Sequence, residues 1–257
     1  MKAILFDLDG VLYEGDRPVE GAAESVAWCQ QQGIPHLFIT NTSSRPRSAL
    51  VEKLARMNIR VEASAIFSPP VAARRWLENK TQGPVALFVP EATKAEFEGL
   101  DLLPEEAEKG AAAVVLGDLG EHWDFRLLNR AFRLMMSEAR PPLVALGMTR
   151  YWRASDGLRL DVGPFVTALE YATGRKAVVV GKPAASFFHA ALDQLGVSPE
   201  EALMIGDDIR SDVDAAQQLG IHGMLVKTGK FLPSDLESGI NPFAVLESVA
   251  QLPEWWA

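Results

Sequence analysis

A single cysteine, Cys29, stands among 257 residues. One thiol excludes an intrachain disulfide and leaves a structural zinc site without its usual ligands. The four histidines, His36, His122, His189 and His222, show no i, i+4 pair that would set two imidazoles on one helix face. Positive charge is also scarce: 25 Lys and Arg stand against 34 Asp and Glu, a formal net charge of −9. That balance, with no basic block, argues against nucleic acid or an anionic membrane surface as the main partner. No apolar run reaches the roughly 18 residues needed to span a bilayer. No G-x-G-x-x-G follows a strand-like run, and the KTGK segment at 227–230 lacks the upstream glycine of a phosphate-binding P-loop. With no secretory segment and one thiol, the expected compartment is a reducing cytoplasm.

What is present is an ordinary globular composition, 48% apolar and 23% charged. Short apolar runs alternate with amphipathic stretches, which predicts an α/β fold with a doubly wound parallel sheet. Strands are expected at Ala3–Phe6, His36–Thr40, Val85–Val89, Ala112–Leu116, Leu143–Leu146, Ala177–Val180, Ala202–Ile205 and Gly223–Val226. Helices are expected at Ala22–Gln32, Pro46–Met57, Phe125–Met136, Pro164–Tyr171, Ser186–Leu195 and Ser211–Leu219. The middle of the chain carries its own strands and helices and a hairpin-like YWRASDGLRL, but few ionisable residues at strand ends. A central insertion explains that distribution: a core of residues 1–75 plus 176–257, interrupted by a large α/β unit over 76–175.

The chemistry-bearing residues gather at four strand exits. The run AILFD ends in Asp7, and Asp9 follows two residues on; a second exit gives Thr40, a third Lys182, and a fourth Asp207 and Asp208 with Asp212 a turn later. Ligands of open α/β sheets bind beyond the carboxyl ends of the strands, so these groups should converge. Asp7 and Asp207, with the main-chain carbonyl of Asp9, form a hard oxygen site suited to Mg²⁺. A divalent cation would relieve the repulsion between carboxylates and a phosphate. Asp7 can then attack phosphorus to give an aspartyl-phosphate. Asp9 can protonate the leaving atom and later activate water, help typically worth about 10²–10⁴ in rate. Thr40 and Lys182 can hold the phosphoryl oxygens, and Asp212 can orient Lys182 or a metal-bound water. An isolated strand-end Asp is usually a cap or turn residue, and a lone Thr there bonds local backbone; four such groups in order, each after an apolar run, are not explained that way.

The segments DLDGVL (7–12), TNTS (40–43), GKP (181–183) and GDDIRSD (206–212) resemble the four motifs of the haloacid dehalogenase superfamily of phosphohydrolases. The spacing between Thr40 and Lys182 is similar to that of the subgroup with an α/β cap inserted after the second motif. The resemblance implies Asp7 as nucleophile, Asp9 as general acid/base, and Thr40, Asn41, Thr42 and Lys182 as phosphate contacts. Asp7, Asp9 and Asp207 would bind Mg²⁺, supported by Asp208 and Asp212. Val11 departs from the threonine that many relatives carry there. The resemblance further implies a small phosphorylated substrate, either pyrophosphate or a P–N compound such as phospholysine or phosphohistidine, with sugar or nucleotide monophosphates as the alternative. A homodimer through the cap is implied in the same way. Arg150, Tyr151 and Trp152 are candidates for cap residues facing substrate, and Arg45 and Arg47 for screening an anion; ordinary hairpin packing and solvation compete with these roles.

Three other readings use similar residues. A phosphorylation-dependent switch lacks a second Asp two residues after the phosphorylated one, and dehalogenation needs neither a metal nor a proton donor. A scaffold with a dead site would not keep every reacting group.

Overall fold

The computed structural model describes residues 1–154 and 156–256. The chain opens with β1 (Ala3–Asp7), buried along its whole length, then a short hairpin of β2 (Tyr13–Glu14) and β3 (Arg17–Pro18). Helix α1 (Ala22–Gln31), β4 (His36–Ile39), α2 (Arg47–Arg56) and β5 (Ile66–Phe67) complete the first segment. Next come α3 (Pro69–Lys80), β6 (Val85–Phe88), β7 (Ala113–Leu116), α4 (Phe125–Met135), β8 (Leu143–Ala145), β9 (Tyr151–Ala154), β10 (Gly157–Leu160), α5 (Val162–Thr173) and β11 (Val178–Val179). The last segment holds α6 (Ala185–Leu195), β12 (Ala202–Gly206), α7 (Ala215–Gln217), β13 (His222–Val226), β14 (Ala244–Leu246) and α8 (Leu252–Trp256).

These elements form two compact units. One takes Met1–Thr40, Arg47–Phe67 and the chain from Lys182 onward; the other takes Asn41–Pro46 and Ser68–Gly181. The second unit thus begins eight residues before the expected bound at 76 and ends six after the one at 175. Helix α3 explains the earlier start. Its leading Pro69-Pro70 reads as a breaker in sequence but sits at the helix's first positions, where a missing N–H costs nothing.

In the first unit six parallel strands run in the order β14-β13-β12-β1-β4-β5. From β1 the chain builds outward through β4 and β5, then returns to β12 and builds the other way. The reversal between β1 and β12 is a topological switch point, where an open sheet leaves a crevice. Ile4, Phe6, Phe38, Ile205 and Met224 lie in the buried apolar core beneath it. Trp255 and Trp256 dock on that core, with Trp256 edge-on to Trp28 at 6.5 Å between ring centroids.

The second unit has a four-stranded parallel sheet, β11-β8-β7-β6, with Phe88, Trp123 and Phe165 stacked in series at 6.1 and 4.8 Å. Strands β9 and β10 pair as the expected antiparallel hairpin; Ser155 lies outside the described residues. All eight expected strands form. The expected helix Ser211–Leu219 is instead a widened π-type turn over Ile209–Asp214 followed by the short α7. Pro164 stands in the first turn of α5, but Pro46 sits one residue outside α2. Among the described residues, no helix is long and apolar enough to cross a membrane.

Candidate active site

Sheet register brings the strand ends of the first unit to one level. Phe6 pairs with Ile205 and Asp7 with Ile39, so Asp207 and Thr40 leave the two strands flanking β1 beside Asp7. Asp7, Thr40, Lys182, Asp207 and Asp212 are all buried. Lys182 Nζ lies 2.7 Å from Asp7 Oδ1 and 2.8 Å from Asp212 Oδ1, an ammonium clamped between two carboxylates. Such a triad is tolerable in a low-dielectric setting only because each charge has a close opposite. The π-type turn aims Asp212 inward, and widened turns of this kind recur at functional sites. Asp208 serves that turn: its Oδ1 accepts hydrogen bonds from the Arg210 and Ser211 amides, both at 3.0 Å.

Asp7, Asp207 and Asp212 each present a carboxylate oxygen within 4.8 Å of the others. Asp207 Oδ2 accepts from the Lys230 amide at 2.7 Å, while Oδ1 is buried with no hydrogen-bond partner among the described residues. A buried orphan oxygen is costly unless something else satisfies it. Three hard oxygen donors converging around such an atom fit a divalent cation of the Mg²⁺ type. The expected donor set named the Asp9 carbonyl beside Asp7 and Asp207; the carboxylate cluster adds Asp212, although its Oδ1 is engaged by Lys182.

The electrostatics carry the same signature. Burial, with the Asp7 charge added, pushes the Asp207 carboxyl up to about 7. Burial pushes Asp212 up to about 6, against the pull of Lys182. Burial alone would lower the Lys182 ammonium, but the Asp212 and Asp7 charges outweigh it and raise it. Asp9 is open to solvent on one side, yet desolvation by the surrounding protein and then the Asp7 charge raise its carboxyl. For Asp208 the amide hydrogen bonds overcome burial and hold the carboxyl low. Burial and like charge thus raise the carboxyls of this cluster, and a bound divalent cation would offset both.

A further loop belongs to this site, and motif reading passed over it. The Thr228 hydroxyl donates to the Gly10 carbonyl at 2.5 Å, and the Gly229 amide donates to Glu14 Oε1 at 2.6 Å. Gly10 and Gly229 both have positive φ, 87° and 64°. A Cβ on Gly10 would lie 1.9 Å from Asp207 Oδ2, and one on Gly229 would lie 2.1 Å from that oxygen and 2.4 Å from the Gly10 Cα. Only hydrogen fits on either side of this carboxylate. The available signal was the Thr-Gly-Lys run directly after a buried strand, tested in sequence only as a nucleotide loop.

Asn41 and Thr42 fall in the second unit. Tyr151 and Trp152 are exposed on β9, and Arg45 is exposed; Arg47 Nη1 donates to the Ala63 carbonyl at 3.4 Å.

Residues 4–102 match the profile of the haloacid dehalogenase-like hydrolases, and residues 179–252 match a second, HAD-hydrolase-like profile. The chain is a haloacid dehalogenase-like hydrolase. It is 43% identical over 242 residues to the human haloacid dehalogenase-like hydrolase domain-containing protein 2, covering 94% of this chain and 90% of that one. It is 38% identical over 239 residues to human phospholysine phosphohistidine inorganic pyrophosphate phosphatase, covering 91% of this chain and 86% of the relative. The solved structure of a p-nitrophenyl phosphatase from Archaeoglobus fulgidus superposes with a TM-score of 0.88 at 28% identity, covering 99% of this chain and 98% of that one. The hydrolase fold thus extends over both units.

Proposed function

We propose that this hydrolase is a Mg²⁺-dependent phosphatase of small phosphorylated molecules, working through an aspartyl-phosphate on Asp7. The observation that carries the reading is the clamp on Asp7: Lys182 holds Oδ1 at 2.7 Å, in a cluster with an Asp207 oxygen that has no hydrogen-bond partner among the described residues. With Oδ1 held, Oδ2 is the oxygen directed at phosphorus. Asp7, the Asp9 carbonyl and Asp207 would hold Mg²⁺, which would supply positive charge to offset repulsion between the carboxylates and the phosphoryl group.

The remaining steps belong to the chain's own residues. Oδ2 of Asp7 forms a bond to phosphorus as the bond to the leaving oxygen or nitrogen breaks. Asp9, whose raised carboxyl favours the protonated form, gives that atom its proton. Asp9 then takes a proton from water as the water oxygen attacks the aspartyl-phosphate, releasing phosphate and restoring Asp7. Thr40, Asn41, Thr42 and Lys182 hold the phosphoryl oxygens, and Asp212 keeps Lys182 aimed at Asp7.

For the substrate, the 38% identical relative favours pyrophosphate or a P–N bond of the phospholysine or phosphohistidine type. The 28% identical structural neighbour, named for an aryl phosphate, favours an ester phosphatase instead. Phosphate release should be followed in parallel on pyrophosphate, imidodiphosphate and a panel of sugar and nucleotide monophosphates. Release should require Mg²⁺, stop with a chelator, and fall at least about 10³-fold in Asp7→Asn. Release that persists in Asp7→Asn would sink the proposal. A monophosphate preferred by orders of magnitude would decide for the ester reading.

A further inference from the structure

The loop after β13 makes three bonds from three successive residues, each to a different part of the first unit. Thr228 gives its hydroxyl to the Gly10 carbonyl, Gly229 its amide to Glu14 Oε1, and Lys230 its amide to Asp207 Oδ2, at 2.5, 2.6 and 2.7 Å. Only the third bond reaches an expected cation ligand. The first two fasten the same loop to residues 218 and 215 positions earlier in the chain.

Strand β2 stands at the other end of these bonds. The Gly10 amide donates to the Tyr13 carbonyl at 2.7 Å. In a planar trans peptide C=O and N–H point opposite ways, so this bond also sets the direction of the Asp9 carbonyl, the expected main-chain ligand. Tyr13 is buried, with Lys53 Nζ 3.8 Å over its ring. Glu14, the next residue, faces the other way and is exposed. An exposed glutamate ordinarily keeps its carboxylate in water; this one accepts an amide from a distant loop. Two adjacent residues of one strand thus bear on two expected ligands, Tyr13 on Asp9 and Glu14, through Gly229 and Lys230, on Asp207. A hairpin of two-residue strands is too short to be firm alone, so the Glu14 bond also braces the strand.

We propose that Glu14 is a positioning residue for the cation. By holding the Gly229 amide it keeps the Lys230 amide on Asp207 Oδ2, in register with the Asp9 carbonyl that the same strand orients. Asp207 Oδ1, which has no hydrogen-bond partner among the described residues, is thereby left to the metal. Thr228 is the second anchor of the same loop. The inference rests on the Mg²⁺ reading above and adds to it a residue outside the acidic cluster.

The experiment titrates Mg²⁺ alone into the full chain and its Glu14→Ala, Glu14→Gln and Glu247→Ala variants, reading apparent affinity from the thermal shift. Glu247 is the control: its carboxylate holds Lys227 Nζ at 2.6 Å at the start of the same loop, but that bond leads to no ligand. Glu14→Ala should weaken Mg²⁺ binding about tenfold, the lower end for groups that support a metal ligand. Glu14→Gln keeps an acceptor oxygen without the charge and should recover most of that loss, and Glu247→Ala should bind as the unaltered chain does. In turnover of p-nitrophenyl phosphate by Glu14→Ala, the Mg²⁺ needed for half-maximal rate should rise by the same factor, with kcat at saturating Mg²⁺ within about threefold. If Glu14→Ala does not fold, Thr228→Val against Thr228→Ser makes the same comparison from the second anchor. Unchanged affinity in Glu14→Ala, or a Glu14→Gln as weak as Glu14→Ala, overturns the role of Glu14 and leaves the phosphatase reading intact. An unaltered chain that binds no Mg²⁺ overturns the cation reading and this inference with it.

Discussion

Both units of this chain wind helices onto a parallel sheet, yet they place charge differently. In the first, β1 ends in Asp7 and β12 runs into Asp207, and both carboxylates are buried against Lys182 and Asp212. In the second, β6 runs into Val89 and Pro90, β7 into Gly117 and Asp118, and β8 into Leu146 and Gly147, while β11 leads through Val180 and Gly181 to Lys182 of the first unit. Its buried cation, Arg130, has a local task. Nε and Nη2 donate to the Ala107 and Pro104 carbonyls, each at 2.9 Å, and the guanidinium sits 5.0 Å from the Phe88 ring. Sheet topology provides a crevice in principle. Reactivity requires opposed charges buried together at its edge.

The sharpest way to break this contrast uses glycines of like backbone and unlike surroundings. Gly229→Ala and Gly120→Ala both place a Cβ at positive φ, 64° and 54°, a penalty of about 1 kcal/mol. At Gly229 that Cβ meets Asp207 Oδ2 at 2.1 Å, whereas at Gly120 nothing lies within 4 Å. Gly229→Ala should weaken Mg²⁺ affinity by about 100-fold, read from Mg²⁺-dependent thermal shifts. Gly120→Ala should lose only a few degrees of Tm. Equal Mg²⁺ responses in the two variants would remove the glycine cradle from the account.

Next in size is Arg130→Met. It strands two carbonyls and should cost the chain about 2 kcal/mol in urea unfolding, with kcat/KM for p-nitrophenyl phosphate close to that of the unaltered chain. A collapse of activity without loss of stability would show that the second unit's buried charge is not merely structural.

The smallest effect concerns pH. Because the folded carboxyl of Asp207 stands at about 7, above its ordinary 3.8, the metal-free chain loses stability as pH rises between those values. Below about 7 a proton also competes with the cation, and apparent Mg²⁺ affinity should fall by about tenfold per pH unit. The Tm gain from Mg²⁺ should therefore be larger at pH 8 than at pH 5.5. The reverse order would show that Asp207 is not where the cation binds.

The strands at Ala3, His36 and Ala202 could be read from sequence because each is a continuous apolar run, the pattern of a strand buried on both faces. Strands β5 and β14 escaped notice because two or three residues make no periodic signal, and Tyr13–Glu14 with Arg17–Pro18 is shorter than any alternation can reveal. Asp7, Lys182 and Asp207 stood out as polar groups at apolar run ends. The Thr228–Lys230 loop did not, because its part is played by a hydroxyl, two main-chain amides and the absence of a Cβ. Main-chain donors leave no residue type to read. Asp212 was placed one turn beyond Asp207 and Asp208 in sequence, but its inward aim depends on a π-type turn that no residue spacing announces.

Strand β1 is synthesised long before one of its two sheet neighbours, β12, which begins only at Ala202. The Thr228 hydroxyl that grips the Gly10 carbonyl comes later still, 218 positions along the chain. A nascent polypeptide therefore carries Asp7 through most of its translation without the partners that give the residue its chemistry. Truncated chains that end before Lys230 should be inert, and activity should appear only once the chain also carries β14 and α8, which complete the sheet and its core.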